Sequence, residues 1–271
     1  MRQTKIREIS SSSNALLKVF RRALAEGTTR EGWLAVERPF LFEEALNAAP
    51  AARIHSVLVG RSGAEKFAKL LARVPEEAEV SQVPDRLFAQ VAQTESPQGI
   101  AALVELPHHD LEVILTRRDV LLLVACGIQD PGNLGTMMRS AQAFGATALL
   151  TLEETVSPFN PKAVRSSAGA IFQLPVFSNL KTDVLFQRLR AAGIRVVGAD
   201  RHSPLPVAQA DLSGPLAILV GREATGLPQE IFREANQLLS IPIRAGMDSV
   251  NAAMAASIFL YEAARQHGFR Y

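Results

Sequence analysis

A chain of 271 residues, 48% of them hydrophobic, is long enough for two domains that each bury a core. Its 29 Lys and Arg against 27 Asp and Glu leave a formal charge of +2, too small a field to announce nucleic acid by itself. The single cysteine, Cys126, excludes an intramolecular disulfide, and no apolar run reaches the roughly 18 residues of a membrane span, so a soluble, cytoplasmic protein is expected.

The chain opens on a basic stretch in which Arg2, Lys5, Arg7, Lys18, Arg21, Arg22 and Arg30 meet only Glu8 and Glu26. That distribution suits either an anionic partner at one end of the molecule or a solvated helix face. It then turns Ser-rich, with no apolar segment of the signal-peptide kind. From Asn14 to about Leu106, helical stretches (NALLKVFRRALA, FLFEEALNAA, AEKFAKLLARV, DRLFAQVAQ) alternate with short apolar strands (WLAVE, IHSVLVG, GIAALVEL). This pattern predicts a compact α/β domain over residues 1–106. PHHDLEVILTRR breaks the periodicity with a proline, two histidines and mixed charge, and predicts a linker over 107–117. His108 and His109 are adjacent and lack a Cys or acidic cluster at ligand spacing, so no metal site is expected.

Residues 118–271 read as a second α/β domain. VLLLVACGI, ATALLTL, IFQLPVF, IRVVGAD, LAILV and LLSIPI are nearly continuous apolar strands, separated mostly by helical segments. Such strands belong to a parallel sheet covered on both faces. Cys126 lies within the first of them and reads as a small core residue. Ligands of these sheets bind beyond the carboxyl ends of the strands, which makes GIQDPGNLG, VGREATGLP and IPIRAGMDS candidates to share one site.

GREATGLP, residues 221–228, carries two glycines with four residues between them, the skeleton of a P-loop. Leu227 and Pro228 stand where Lys and Ser or Thr would hold phosphate and magnesium, so a triphosphate site is disfavoured. The glycines of CGIQDPGNLG lack the tight first pair of a dinucleotide fingerprint, which leaves a nicotinamide dehydrogenase a weak alternative. A strand end, two points of backbone freedom and Glu223 suit a neutral adenosine ring better than a polyphosphate; an ordinary turn remains the competing reading.

In the first loop, a helix beginning near Asn133, which can cap it, puts Leu134, Met137, Met138, Ala141 and Phe144 on one apolar stripe. Thr136, Arg139 and Ser140 fall elsewhere on its surface, and Gly145 ends it. Arg139 is placed either to grip a phosphate through paired hydrogen bonds or to pair with a surface carboxylate. In the third loop, Ser249 and Asn251 precede AAMAASIFLYEAA, where they can cap the helix or meet a ligand. That helix is small or apolar nearly all round and needs burial by its own domain or by a second subunit.

Taken in order, DPGNLGTMMRSAQAFG, LVGREATGLP and IPIRAGMDSVNAAMAASIFLYEA, with NPKAVRSSAGAIFQLPV between the first two, closely resemble the SpoU-type family of RNA ribose 2′-O-methyltransferases. The resemblance spans residues 119–266. It implies a knotted (trefoil) parallel-sheet domain that binds S-adenosylmethionine, a homodimer, and direct methyl transfer to an RNA ribose hydroxyl without a metal. WLAVERPFLFEEAL and SPQGIAALV resemble the L30e-like substrate-binding domain that many members carry, which makes ribosomal RNA the first expected substrate and tRNA the second. Asn133, Arg139, Glu223, Ser249 and Asn251 stand where the family's active residues map, with Asn133 and Glu223 expected to orient the substrate and Arg139. The cofactor's backbone contacts map around Leu219, Gly221, Ile241 and Val250. The chain departs from the family where Arg222 replaces a frequent Asn, Ala224 a frequent Gly, and Ala253 a frequent Ser, which weakens any catalytic role for that serine here. A non-catalytic RNA-binding protein on the same scaffold is the alternative from another class.

Overall fold

The structure, a computed structural model, describes residues 6–269, which divide into two compact units. The first holds the chain up to His108 together with the segment Phe159–Arg165; the second holds His109–Pro158 and the residues from Ser166 onward.

In the first unit the elements run β1 (Ile6–Glu8), α1 (Ala15–Glu26), β2 (Leu34–Glu37), α2 (Pro39–Asn47), β3 (Arg53–Gly60), α3 (Arg61–Lys66), α4 (Ala68–Leu71), β4 (Glu79–Val83), α5 (Asp85–Val91) and β5 (Ile100–Glu105). They form a mixed sheet of order β1-β4-β3-β5-β2. The Asn14 side chain accepts from the Leu16 N–H at 2.9 Å and starts α1, whose Leu17, Phe20, Ala23 and Leu24 form the buried stripe. These pack with Leu87, Phe88 and Val91 of α5 over Leu58, Val83, Ala101 and Leu103 of the sheet. Helix α2 lies on β2, β3 and β5 outside that cluster, with Leu41, Phe42, Ala45 and Leu46 buried.

Strands β1 and β4 escape the sequence reading. IRE is exposed throughout, and EVSQV owes its burial to pairing with β3, not to an apolar run. Of the basic residues near the start, Arg2 and Lys5 lie outside the described residues. Arg7 pairs with Glu79 at 3.1 Å, Arg22 with Glu26 at 2.9 Å, and Arg21 donates to the Gln90 carbonyl at 3.2 Å. Those three arginines are engaged on the chain's own surface.

The expected linker carries structure. Residues Leu111–Leu115 form α6, capped by the Asp110 carboxylate, which accepts from the Glu112 N–H at 2.9 Å. Leu111, Ile114 and Leu115 are buried in the second unit's core. Beyond α6 come β6 (Leu121–Ala125), α7 (Pro131–Ala143), β7 (Ala148–Leu152), α8 (Pro161–Ser166), β8 (Val176–Leu180), α9 (Thr182–Ala191), β9 (Arg195–Ala199), β10 (Leu216–Val220), α10 (Gln229–Phe232), β11 (Gln237–Leu239) and α11 (Ala252–Gln266).

Six strands form one sheet, β11-β9-β10-β6-β7-β8, and every pairing in it is parallel. Side chains alternate across a strand with period two, so each strand feeds two cores. Leu122, Val124, Leu150, Val196, Ala217 and Leu219 pack with Leu185, Phe186 and Leu189 of α9 and with α6. Leu121, Leu123, Ile218 and Val220 are equally buried but fall outside that cluster, on the side of α7 and α11. The predicted doubly covered parallel sheet is therefore present. IFQLPVF is only partly strand, since Ala170–Phe172 is a 3-10 turn and β8 starts at Val176.

Cys126 is fully buried, and burial pushes its thiol far above the ordinary thiol range. The native protein is expected to show no reaction with a thiol reagent near neutral pH and one reactive thiol per chain after unfolding. Fast labelling of native protein contradicts this packing.

Candidate functional site

Strands β6 and β10 lie side by side, yet the chain leaves β6 toward β7 and leaves β10 toward the opposite edge. A crevice opens beyond carboxyl ends where connections diverge in this way. The loops that fill it are residues 126–130 and 221–228.

Helix α7 begins at Pro131, not near Asn133. Its cap is Asp130, whose carboxylate accepts from the Asn133 N–H at 2.9 Å, with Pro131 at the first position where no N–H is missed. The Asn133 side chain is thereby freed for another task. Its Nδ2 donates to Glu223 Oε1. Asn251 Nδ2 donates to the same carboxylate oxygen at 2.8 Å and to Asn133 Oδ1 at 3.0 Å. Asn251 Oδ1 also accepts from the Ala253 and Met254 N–H groups at 2.9 and 3.3 Å, capping α11. Capping and site-building, alternatives in the sequence, are here done by one amide. Three residues from the three predicted loops thus form a closed polar cluster, with the second carboxylate oxygen of Glu223 left without a partner among the described residues.

Glycine at 221 has a different cause from the expected one. A Cβ there would stand 2.3 Å from the Gly226 carbonyl carbon and oxygen and 2.5 Å from the Leu227 nitrogen. The loop closes on itself: Arg222 N–H donates to the Gly226 carbonyl at 2.9 Å, and Gly226 N–H to the Arg222 carbonyl at 2.8 Å. Gly221 is therefore required by loop closure, before any ligand is considered. Gly226 completes the turn with φ +70.

Arg222, one of the family departures, ties this loop to two others. Its Nε donates to the Gly127 carbonyl at 3.2 Å and its Nη2 to Glu154 beyond β7 at 2.5 Å. The ends of β6, β7 and β10 are held together by that one side chain.

Beside the polar cluster runs a cleft lined by Gly221, Glu223, Ile241, Ser249 and Val250, together with Phe259 from α11. Leu219 does not line it. By the strand's alternation its side chain enters the opposite core and Val220 takes the place. Residues 199–202, at the end of β9 and just past it, form another lip that the sequence reading omits, although β9 ends beside β10 and the strand-end rule includes it. There Arg201 Nε donates to His202 Nε2 at 3.0 Å and Arg201 Nη1 to the Asp248 carbonyl at 3.4 Å. Arg139 stands apart. Six positions after Asn133, it projects about 120° around α7 from it. It is exposed, and its guanidinium has no hydrogen bond or ion pair among the described residues. The expected Glu223–Arg139 contact is absent among the described residues, because Arg139 projects from another side of α7 than Asn133 and the carboxylate it holds.

A doubly covered parallel sheet with an apolar, glycine-edged cleft and an amide–carboxylate cluster at its switch point defines an α/β domain with a ligand site suited to a nucleoside. The sequence pattern of the SpoU rRNA Methylase family matches residues 120–261, and that of the RNA 2′-O ribose methyltransferase substrate-binding domain matches residues 40–109. The chain belongs to the SpoU rRNA methylase family. It is 35% identical over 212 residues to a 23S rRNA (uridine(2479)-2′-O)-methyltransferase of Streptomyces viridochromogenes, covering 76% of this chain and 74% of that protein. It is 31% identical to the 23S rRNA (guanosine(2553)-2′-O)-methyltransferase RlmP of Bacillus subtilis, covering 94% of this chain and 98% of the relative. Among solved structures, the SpoU methyltransferase AviRb of Streptomyces viridochromogenes in complex with AdoMet superposes with a TM-score of 0.81 at 31% identity, covering 94% and 98% of the two chains. An AdoMet-bound rRNA methyltransferase of Sinorhizobium meliloti does so with a TM-score of 0.81 at 30% identity, covering 96% and 98%.

Proposed function

We propose that the protein methylates a ribose 2′-hydroxyl of ribosomal RNA, with S-adenosylmethionine as donor. The observation that carries this is the joining of Asn133, Glu223 and Asn251, from three separate loops, at the mouth of the glycine-edged cleft. The cleft's residues suit the cofactor: Val220, Ile241, Val250 and Phe259 offer apolar surface for an adenosine, and Gly221 offers backbone with no side chain in the way. Backbone around Leu219, Gly221, Ile241 and Val250 is assigned to holding it. When bound, S-adenosylmethionine supplies an electrophilic methyl carbon on a sulfonium.

The chain's own contribution is alignment. Asn133 and Asn251 hold Glu223, whose free oxygen faces the incoming ribose, and Ser249 completes the wall. Arg139 grips the neighbouring RNA phosphate and fixes the hydroxyl, the proton leaving to that phosphate or to water; a guanidinium does not itself serve as base near neutrality. The N-terminal domain, residues 1–106, grips folded RNA, and the domain over 118–271 does the chemistry on a trefoil-knotted sheet. A second copy covers α11, where Met254, Ile258 and Tyr261 leave an apolar face exposed. No helix among the described residues is long and apolar enough to cross a membrane, in keeping with a cytoplasmic enzyme. The scaffold alternative has no support, since the named relatives are described as methyltransferases.

Mapping 2′-O-methyl sites in total RNA from cells with and without the gene tests the reading. One ribosomal position should lose its methyl group with the gene and regain it when purified protein and S-adenosylmethionine are added. An unchanged map defeats it. The polar cluster yields a second expectation. Asn251→Ala should cost about 1 kcal/mol of stability for the lost cap. In a double-mutant cycle with Glu223→Ala, single-turnover methyl transfer should show coupling of about 0.5–3 kcal/mol. Strict additivity means the cluster does not act as a unit.

A further inference from the structure

The first unit contains a cleft of about 750 Å³ that the chemistry above does not use, lined in part by Arg38, Phe40, Thr94, Gln98 and Arg165. Its volume falls in the range of roughly 300–1,000 Å³ typical of ligand sites. Neither the Arg38 nor the Arg165 guanidinium has a hydrogen-bond or ion-pair partner among the described residues. The buried carboxylate at hand, Glu37, is spent: it accepts from the Gln93 N–H at 2.8 Å, the Thr94 N–H at 3.4 Å and the Thr94 hydroxyl. Glu95 also lines the cleft but pairs with neither guanidinium. Arg165 is half-buried, and burial pulls its guanidinium below the ordinary arginine value, with Arg38 adding to this and Glu37 opposing it. Two cations facing one cleft, one of them partly desolvated, repel each other until an anion lies between them.

The backbone points the same way. Arg38 has φ 150 and ψ 140, a region that is nearly reserved for glycine, and a residue before proline ordinarily turns to negative φ. Glycine would serve the fold better here and would be an acceptable cap for α2. The arginine side chain stands at the rim of the cleft in spite of that cost. Phe40, two residues on, leaves 53% of its surface in solvent beside neutral hydrogen-bonding groups from Thr94 and Gln98. Cations, an exposed ring and neutral donors and acceptors are the chemistry that receives a splayed-out nucleotide of single-stranded RNA.

We propose that this cleft binds one unpaired nucleotide of the substrate RNA, its phosphate between Arg38 and Arg165 and its base on Phe40. The proposal rests on the reading of the protein as an RNA methyltransferase and adds where, away from the reacting ribose, the RNA is held.

The test uses full-length protein with Arg38→Gly, Arg165→Gln, both together, and Phe40→Ala. Affinity is measured across a salt series for a short unstructured RNA and for ribosomal RNA from cells lacking the gene, alongside S-adenosylmethionine affinity and Tm. Arg38→Gly should keep or raise Tm, leave cofactor affinity unchanged, and weaken RNA binding about tenfold. The slope of log affinity against log salt should become shallower by about 0.7 for each phosphate contact removed. Phe40→Ala should weaken binding about fivefold or more with the slope unchanged, as loss of stacking requires. If wild-type protein binds and methylates RNA while these variants match it in affinity and slope, the cleft proposal alone fails. If wild-type protein binds no RNA, the proposal and the reading beneath it fail together.

Discussion

Arg139→Ala is expected to leave the fold and S-adenosylmethionine affinity intact while lowering single-turnover methyl transfer by about 10²–10³-fold, the scale of removing one preorganised charge-stabilising donor. The first half follows from geometry. The Arg139 side chain is exposed and has no polar partner among the described residues, so its removal orphans none. The second half follows from the proposed grip on phosphate, which the chain cannot replace, because Glu223 and both asparagines are engaged with one another. Arg139→Lys refines the test. A lysine keeps the charge and loses the planar fork, so it should recover only part of the rate. Nearly full activity in the lysine variant makes a bidentate role untenable, and full activity in the alanine variant removes Arg139 from the mechanism.

Gly221→Ala carries the largest expected structural effect. The added methyl group meets three backbone atoms of its own loop within 2.5 Å, and backbone cannot yield as a side chain tip can. Overpacking of this kind costs about 1–3 kcal/mol. The strain would fall on the Arg222–Gly226 bridge, so S-adenosylmethionine affinity should drop tenfold or more, by the rule of about 1.4 kcal/mol per decade. Gln229→Ala, at an exposed position just past the same loop and outside the cleft, is the control and should change neither Tm nor affinity. A Gly221→Ala protein with native Tm and cofactor affinity contradicts the closed loop.

The parts that were legible in sequence were those fixed by local pattern. β6, β7, β9 and β10 announce themselves as apolar runs because both faces of the sheet are covered. The strand-end rule brought Asn133, Glu223 and Asn251 into one neighbourhood correctly. Less visible was anything decided by pairing or direction. β4 is polar in alternate positions and becomes a strand through its neighbours. The resemblance names Leu219 for its backbone alone, and period-two alternation sends its side chain to the other core, leaving Val220 to face the cleft. α6 was hidden by the proline and histidines before it, though Asp110 preceding an apolar run was a readable cap. Arg139 was given a partner by family context, and its place on α7 denies it that partner within the chain. The Arg222–Glu154 tie had no readable signal, since the two are 68 positions apart.

Asn251 limits what selection can substitute at its position. Aspartate and serine start helices as well as asparagine does. Aspartate, however, brings no donor and sets a second negative charge against Glu223. Serine can give one hydrogen and must choose between helix and carboxylate. Only a short primary amide can receive two backbone N–H groups on its oxygen while giving two hydrogens from its nitrogen. In a saturation library scored for both folding and RNA methylation, many residues should pass the first filter and asparagine alone the second.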